Sequence, residues 1–333
     1  MLANEKFSDA SLFERVAAWP NYPTLESLSD KALRQITVQH GVDFATALFF
    51  DRFQNCPRWA PFIQQINAFR RDSSPPPRLA AKLVIVPGAL YIERPDMGGD
   101  GRLIREVANT FGMQTQLIPV ASFGSVAANA KSICAWLRQH LHEPMILISL
   151  SKGSADLKMA LTAPDAPALF RNVLAWVNVC GPLNGSRMAN WVLDSGFRTW
   201  FIRWKFRWQK RDFQFITDLR HGNGAPLDFD CPQSSMRVLH LIGFPLRHHV
   251  TTRFSRFCHR TLARWGPNDG TTSLADLHRW PGEIYPAWGM DHYFRPEHES
   301  RILVAALLRY LATQDFSERN TGLPLDNSAV LSS

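Results

Sequence analysis

The stretch Met145-Ile146-Leu147-Ile148-Ser149-Leu150-Ser151-Lys152-Gly153 decides how this chain is read. Four apolar residues, 145–148, give a buried strand. Residues 155–161 read as a helix. The order is strand, tight turn, helix, with Ser151 at the apex. A turn this sharp brings the helix back over the strand it has just left, so the positions two before and two after the serine must be small. Here they are Ser149 and Gly153.

Outward from this turn, strand and helix signals alternate. Residues 82–86 are a β-branched run ending in Pro87-Gly88, 103–111 are helical and 115–119 form a strand. A helix over 127–140 carries Ile133, Trp136 and Leu137 on one face. Further apolar runs lie at 173–179 and 237–242, with a short strand at 283–285 and a helix at 301–311. Continuous apolar strands alternating with helices predict an α/β fold whose parallel sheet is covered on both faces. Before it, residues 1–75 read as a helical extension, with one helical pattern over 25–53. Ser73-Ser74-Pro75-Pro76-Pro77 reads as a stiff linker, and 313–333 as a loose tail.

The composition narrows the function. Five cysteines lack CxxC spacing, which argues against a disulfide framework or a zinc site and for a reducing compartment. The first residues carry Glu5, Asp9 and Glu14 before any long apolar run, unlike a signal peptide. No apolar stretch reaches the ~18 residues of a membrane span. The expected location is cytoplasmic. The formal charge is +8, and between Arg187 and Arg220 eight Lys/Arg stand against three Asp.

A serine hydroxyl becomes a nucleophile only when a histidine takes its proton and an acid fixes that histidine's tautomer. His292, in Trp288-Gly289-Met290-Asp291-His292, follows the last strand signal and sits in a loop; His278 and His298 compete with it. Asp269, in Gly266-Pro267-Asn268-Asp269-Gly270-Thr271, is the candidate acid, although Asp-Gly is also an ordinary turn former. Asp276 is its substitute, while Asp291 is adjacent to His292 and expected to point elsewhere. Negative charge on a reacting carbonyl oxygen needs fixed N–H donors. The Lys152 amide, just after the serine, and the Ala89 amide, in the turn after the first strand, are the candidates. The ammonium of Lys152 has no role legible in the sequence.

Taken in order, these pieces resemble an α/β-hydrolase of the bacterial lipase/esterase type. VPGAL at 86–90 is similar to that family's oxyanion turn, with proline in place of histidine. SLSKG at 149–153 resembles GxSxG, NDGTT at 268–272 the acid loop, GMDH at 289–292 the histidine loop and CGPLNGS at 180–186 a loop of bacterial lipases. The resemblance covers about residues 80–312. It implies hydrolysis of carboxylic esters with an apolar acyl group, through Ser151, Asp269 and His292, without a metal or organic cofactor. A thioesterase or acyltransferase with the same triad, or a non-catalytic binding protein on the same scaffold, is the alternative.

The resemblance also implies a helical cap at about 187–230. There Phe197, Trp200, Phe201, Trp204 and Trp208 fall within one arc of a helix, with Arg and Lys at its flanks. Such a helix either anchors at a lipid surface or packs its aromatics onto the pocket. Leu90, Trp200 and Trp204 are the expected substrate contacts. The expected partner is a small ester or lipid, with peripheral membrane contact through the cap; nucleic acid is not expected.

Overall fold

The apolar runs form six strands: β1 (Lys82–Val86), β2 (Thr115–Leu117), β3 (Met145–Leu150), β4 (Val173–Val179), β5 (Arg237–Phe244) and β6 (Glu283–Trp288). They make one all-parallel sheet in the order β2-β1-β3-β4-β5-β6. This computed structural model describes residues 8–74, 79–232, 234–275, 277 and 280–316. All six residues of β3 are buried, as a central strand covered on both faces requires. The sheet order reverses between β1 and β3. Loops at the carboxyl ends of these two strands therefore diverge and leave a crevice, the usual ligand position in such sheets.

Helices α1 (Asp9–Ala17), α2 (Asp30–His40), α3 (Val42–Gln54) and α4 (Ala60–Arg71) precede the sheet. The later helices are α5 (Arg102–Thr110), α6 (Val126–Arg138), α7 (Lys152–Ala160), α8 (Ala166–Leu169), α9 (Arg187–Leu193), α10 (Gly196–Trp208), α11 (Gln214–Asp218), α12 (Arg253–Leu262) and α13 (Glu297–Ala312). Serine or threonine caps fix several starts: Ser125 Oγ accepts from the Ala128 amide at α6, and Thr252 Oγ1 from the Ser255 amide at α12. No described helix is long and apolar enough to cross a membrane.

Three expectations change. The pattern over 25–53 is two helices, not one, because Gly41 ends α2 and starts α3 with φ of 87°. The strand expected at 283–285 runs on to Trp288 through Pro286, which the sheet tolerates because β6 is an edge strand. The helix expected at 301–311 begins a turn earlier, at Glu297. The N-terminal helices share the core of the sheet: Phe49, Phe50 and Phe53 pack on Phe244 with ring centroids 5.6–6.0 Å apart, and Phe50 meets Trp288 at 4.7 Å. Trp59 Nε1 donates to the Gly282 carbonyl across the expected boundary. Residues 75–78, in the proposed linker, and 317–333, in the proposed tail, lie outside the described residues.

The sheet interior holds a polar pair between its strands β4 and β5. Asn178 of β4 and His240 of β5 are in register and fully buried. His240 Nδ1 accepts from the Asn178 amide at 2.9 Å, and its Nε2–H donates to the Pro281 carbonyl at 2.7 Å. The ring is therefore neutral, and burial pushes its pKa down to about 4. In the unfolded chain the same ring titrates near its ordinary 6.5. The stability it contributes is present above that value and lost as pH falls toward 4, by about 3 kcal/mol. Urea unfolding of the wild type and of His240→Gln at neutral and mildly acid pH checks this. The wild type should lose more stability on acidification than the variant; equal losses would refute the assignment.

Candidate active site

At the end of β3 the chain turns through Ser151 with φ of 49° and ψ of −122°. A residue with a Cβ is strained there, and such strain persists only where the surroundings hold it. Gly153 explains how. A Cβ at that position would lie 2.5 Å from the carbonyl oxygens of both Val86 and Pro87, so only glycine lets α7 start this close to the end of β1. Ser149, which stands where the family pattern has glycine, is also accounted for. Its hydroxyl takes the buried Trp176 indole N–H at 2.7 Å and pairs with Ser154 Oγ at 2.7 Å.

His292 arrives from the loop after β6. Its Nε2 is 2.8 Å from Ser151 Oγ, and its Nδ1 is 2.9 Å from Asp269 Oδ2. The other carboxylate oxygen, Oδ1, accepts from the Thr271 and Thr272 amides at 2.9 and 2.6 Å. The Asp-Gly turn is thus real, and it aims the acid. The His292 amide donates to the Asp269 carbonyl at 2.7 Å, which locks the two loops together. With Asp269 accepting at Nδ1–H, Nε2 faces the serine with its lone pair. Asp269 and His292 are both buried. The competing residues go elsewhere. Asp291 Oδ1 accepts from the amides of Tyr293 and Arg295, and His298 is exposed. Asp276 and His278 lie outside the described residues.

Beside the Ser151 hydroxyl, loop 87–90 passes close to the turn: a Cβ on Gly88 would sit 3.3 Å from that of Ser151. The amides of Ala89 and Lys152 have no acceptor among the described residues. Both residues, with Ser151 and His292, line a cavity of about 560 Å³. Its walls are mainly apolar, including Leu90, Phe123, Val179, Val192, Ile202 and Phe206. Leu90, one of the expected substrate contacts, is thus part of the cavity wall. Trp200 and Trp204 are not: they are 62% and 54% exposed and do not line the cavity. The opposite side of α10, with Ile202 and Phe206, does so, because that side packs on α11 and Phe123.

Two features were missed. Lys152 Nζ is buried and holds both oxygens of Asp156, at 2.7 and 2.8 Å, and Asn129 donates to the same carboxylate. The i, i+4 spacing was a visible signal, but it marks many surface pairs. Burial pushes the Asp156 carboxyl up against the pull of the ammonium. Cys180, at the end of β4, lies behind the acid, and its Sγ, Asp269 and His292 offer ligand atoms within 4.8 Å of one another. They are a poor metal site. Burial and the negative charge of Asp269 hold the thiol protonated, and Asp269 and His292 are committed to each other. Asp9, His248 and His249 form a second such cluster. There His249 Nδ1 accepts from the Leu246 amide, so Nε2 carries a proton toward Asp9 and cannot ligate.

No family model matches the chain, and no curated protein matches it by sequence. Among solved structures it resembles a carboxyl esterase of metagenomic origin, with a TM-score of 0.51, at 21% identity over 70% of this chain and 75% of that one. It also resembles a lipase of Bacillus licheniformis in propeptide form, with a TM-score of 0.50, at 20% identity over 67% of this chain and 49% of that one. With the all-parallel sheet, these likenesses show an α/β-hydrolase fold.

The buried ion pair beside the serine gives a stability test. Lys152→Met strands a carboxylate without its counter-ion and should cost about 3–5 kcal/mol in chemical denaturation at neutral pH. Adding Asp156→Leu should restore most of the loss. A single variant as stable as the wild type would show that the pair carries no structural role.

Proposed function

We propose that this chain is a serine hydrolase that cleaves carboxylic esters with an apolar acyl group. One observation carries the reading: the unbroken contact chain Ser151 Oγ–His292 Nε2–Asp269, at 2.8 and 2.9 Å, opens into an apolar cavity. An acyl chain along that cavity would bring its carbonyl carbon to Ser151 Oγ. His292 Nε2 takes the hydroxyl proton as Oγ attacks, and Asp269 stabilises the imidazolium that forms. The tetrahedral oxyanion points at the unengaged amides of Ala89 and Lys152. His292 then gives its proton to the departing alcohol, leaving an acyl-enzyme. Water, deprotonated by the same nitrogen, attacks the acyl carbon and releases the acid.

The helices between β4 and β5 act in this reading as a cap. Ile202 and Phe206 on the inner side of α10 contribute to the acyl wall. The outer side of the same helix contacts a lipid surface. The catalytic groups are Ser151, His292 and Asp269, the oxyanion donors are Ala89 and Lys152, and Leu90 is a substrate contact.

A serine-reactive phosphonate should label the wild type at Ser151, and Ser151→Ala should abolish both labelling and turnover of a short p-nitrophenyl ester with no change in the circular dichroism spectrum. Asp269→Asn should lower turnover by about 10⁴-fold through the wrong imidazole tautomer. Turnover that survives in Ser151→Ala would end the proposal; an unlabelled wild type would indicate a binding protein on a hydrolase scaffold.

A further inference from the structure

The outer face of α10 breaks the usual pattern of a surface helix. Phe197, Trp200, Phe201, Trp204 and Trp208 are between 46% and 76% exposed. Their rings follow one another along the helix, with Phe197–Phe201 and Phe201–Trp204 centroids 6.4 and 6.2 Å apart. No residue of α10 is buried. A contiguous aromatic row of this length in water marks a surface that something covers.

Its flanks say what. Arg198, Arg203, Lys205, Arg207, Lys210 and Arg211 form no ion pair among the described residues. Arg198, Arg203 and Arg211 instead lie over the rings of Trp191, Phe213 and Phe123, at 4.4, 4.9 and 4.3 Å. The segment that carries the aromatic row therefore keeps its positive charge without an ion-pair partner among the described residues. A second copy of this chain would bring the same positive charge against it. A bilayer with anionic headgroups is complementary to both features: aromatic rings enter the interface, and Lys and Arg reach the headgroups.

Position supports the same partner. Lys205 and Phe206 of α10 also line the cavity, as do Phe254 and Phe257 of α12, which are 53% and 47% exposed. A helix lying in the headgroup region by its outer face keeps its inner face over the acyl cavity. We infer that the outer face of α10 docks this protein on anionic lipid bilayers, with Trp200 and Trp204 as membrane anchors rather than substrate contacts. The inference rests on the lipid-contact reading of the cap, and it holds whether or not Ser151 turns over an ester.

Vesicle co-sedimentation of the full chain tests it, with Ser151→Ala to silence hydrolysis. Partition onto phosphatidylglycerol-containing vesicles should exceed that onto pure phosphatidylcholine by about tenfold or more, and fall with salt. Trp200→Ala/Trp204→Ala should lower partition by about tenfold while leaving turnover of a soluble short-chain ester unchanged. Arg207→Glu/Lys210→Glu should erase the preference for anionic lipid. Equal binding to both vesicle types, unaltered binding of the Trp variant, or equally tight binding to duplex DNA would overturn the inference. So would a dimer that the Trp variant dissolves and that binds no vesicles. Vesicle binding without ester turnover in the wild type would sink only the hydrolase reading, and turnover without vesicle binding only the docking.

Discussion

Everything at the site depends on how closely α7 crosses the end of β1. Gly153 lets that helix begin against the carbonyls of Val86 and Pro87, and this approach forces Ser151 into its positive-φ conformation. The consequences are local and rigid. The hydroxyl is lifted out of the sheet into the crevice between the diverging loops of β1 and β3. The Lys152 amide sits at the first position of a helix, where no backbone acceptor exists within the helix. Loop 87–90 is pulled alongside, with Gly88 packed on Leu150 and Ser151. His292 must reach this point from β6, three strands away in the sheet. It is held by two bonds to one residue, Asp269: side chain to side chain and amide to carbonyl.

Beneath this turn the interior is more polar than the strand sequence suggests. Ser149, Ser154 and Trp176 form one network, Asn178 and His240 a second, and Lys152, Asp156 and Asn129 a third. Apolar side chains would fill the same space, but they would leave rotation and sliding less restricted. Directional bonds in a low-dielectric interior restrict both, provided that every group finds a partner. Asn178 illustrates this, since its side-chain oxygen also takes the Gly181 amide and so fixes the turn after β4. The polar groups lie under the strands β3 and β4 and under the start of α7, the elements that carry or back the serine.

The sheet was legible because its strands are continuous apolar runs, and Ser151 because its turn has strict size requirements. That Asp269 and His292 come together beside Ser151 was legible from chain order and loop context, not from residue type. What failed did so for physical reasons. Nine of the thirteen residues of α3 are buried, so that helix has no polar face to reveal that it belongs to the main core. Helical phase collects Trp200 and Trp204 on one arc of α10 but does not say whether that arc faces in or out. The rule that the apolar stripe faces the core misdirects here, because the smaller pair Ile202 and Phe206 occupies the inner side. The i, i+4 spacing of Lys152 and Asp156 carried no mark of burial. That fact emerges only when Asn129 of α6 packs against them.

The cavity is therefore built from two unlike kinds of structure. Its floor is β3, α7 and the loops they bind, with buried strands and with hydrogen-bonded side chains beneath the serine. Its roof is α10, in which no side chain is buried. The roof is tethered at its first turn, where Arg198 Nε and Thr199 Oγ1 donate to the carbonyls of Trp191 and Val192. Beyond that turn it rests on Ile202 and Phe206. Few buried contacts mean a low free energy for local opening. The groups that need fixed geometry thus lie on the most stable part of the molecule, and the wall beside them lies on one of the least. Because the same helix carries the aromatic row outward, whatever covers that row also acts on the cavity wall, through the rigid body of a single helix.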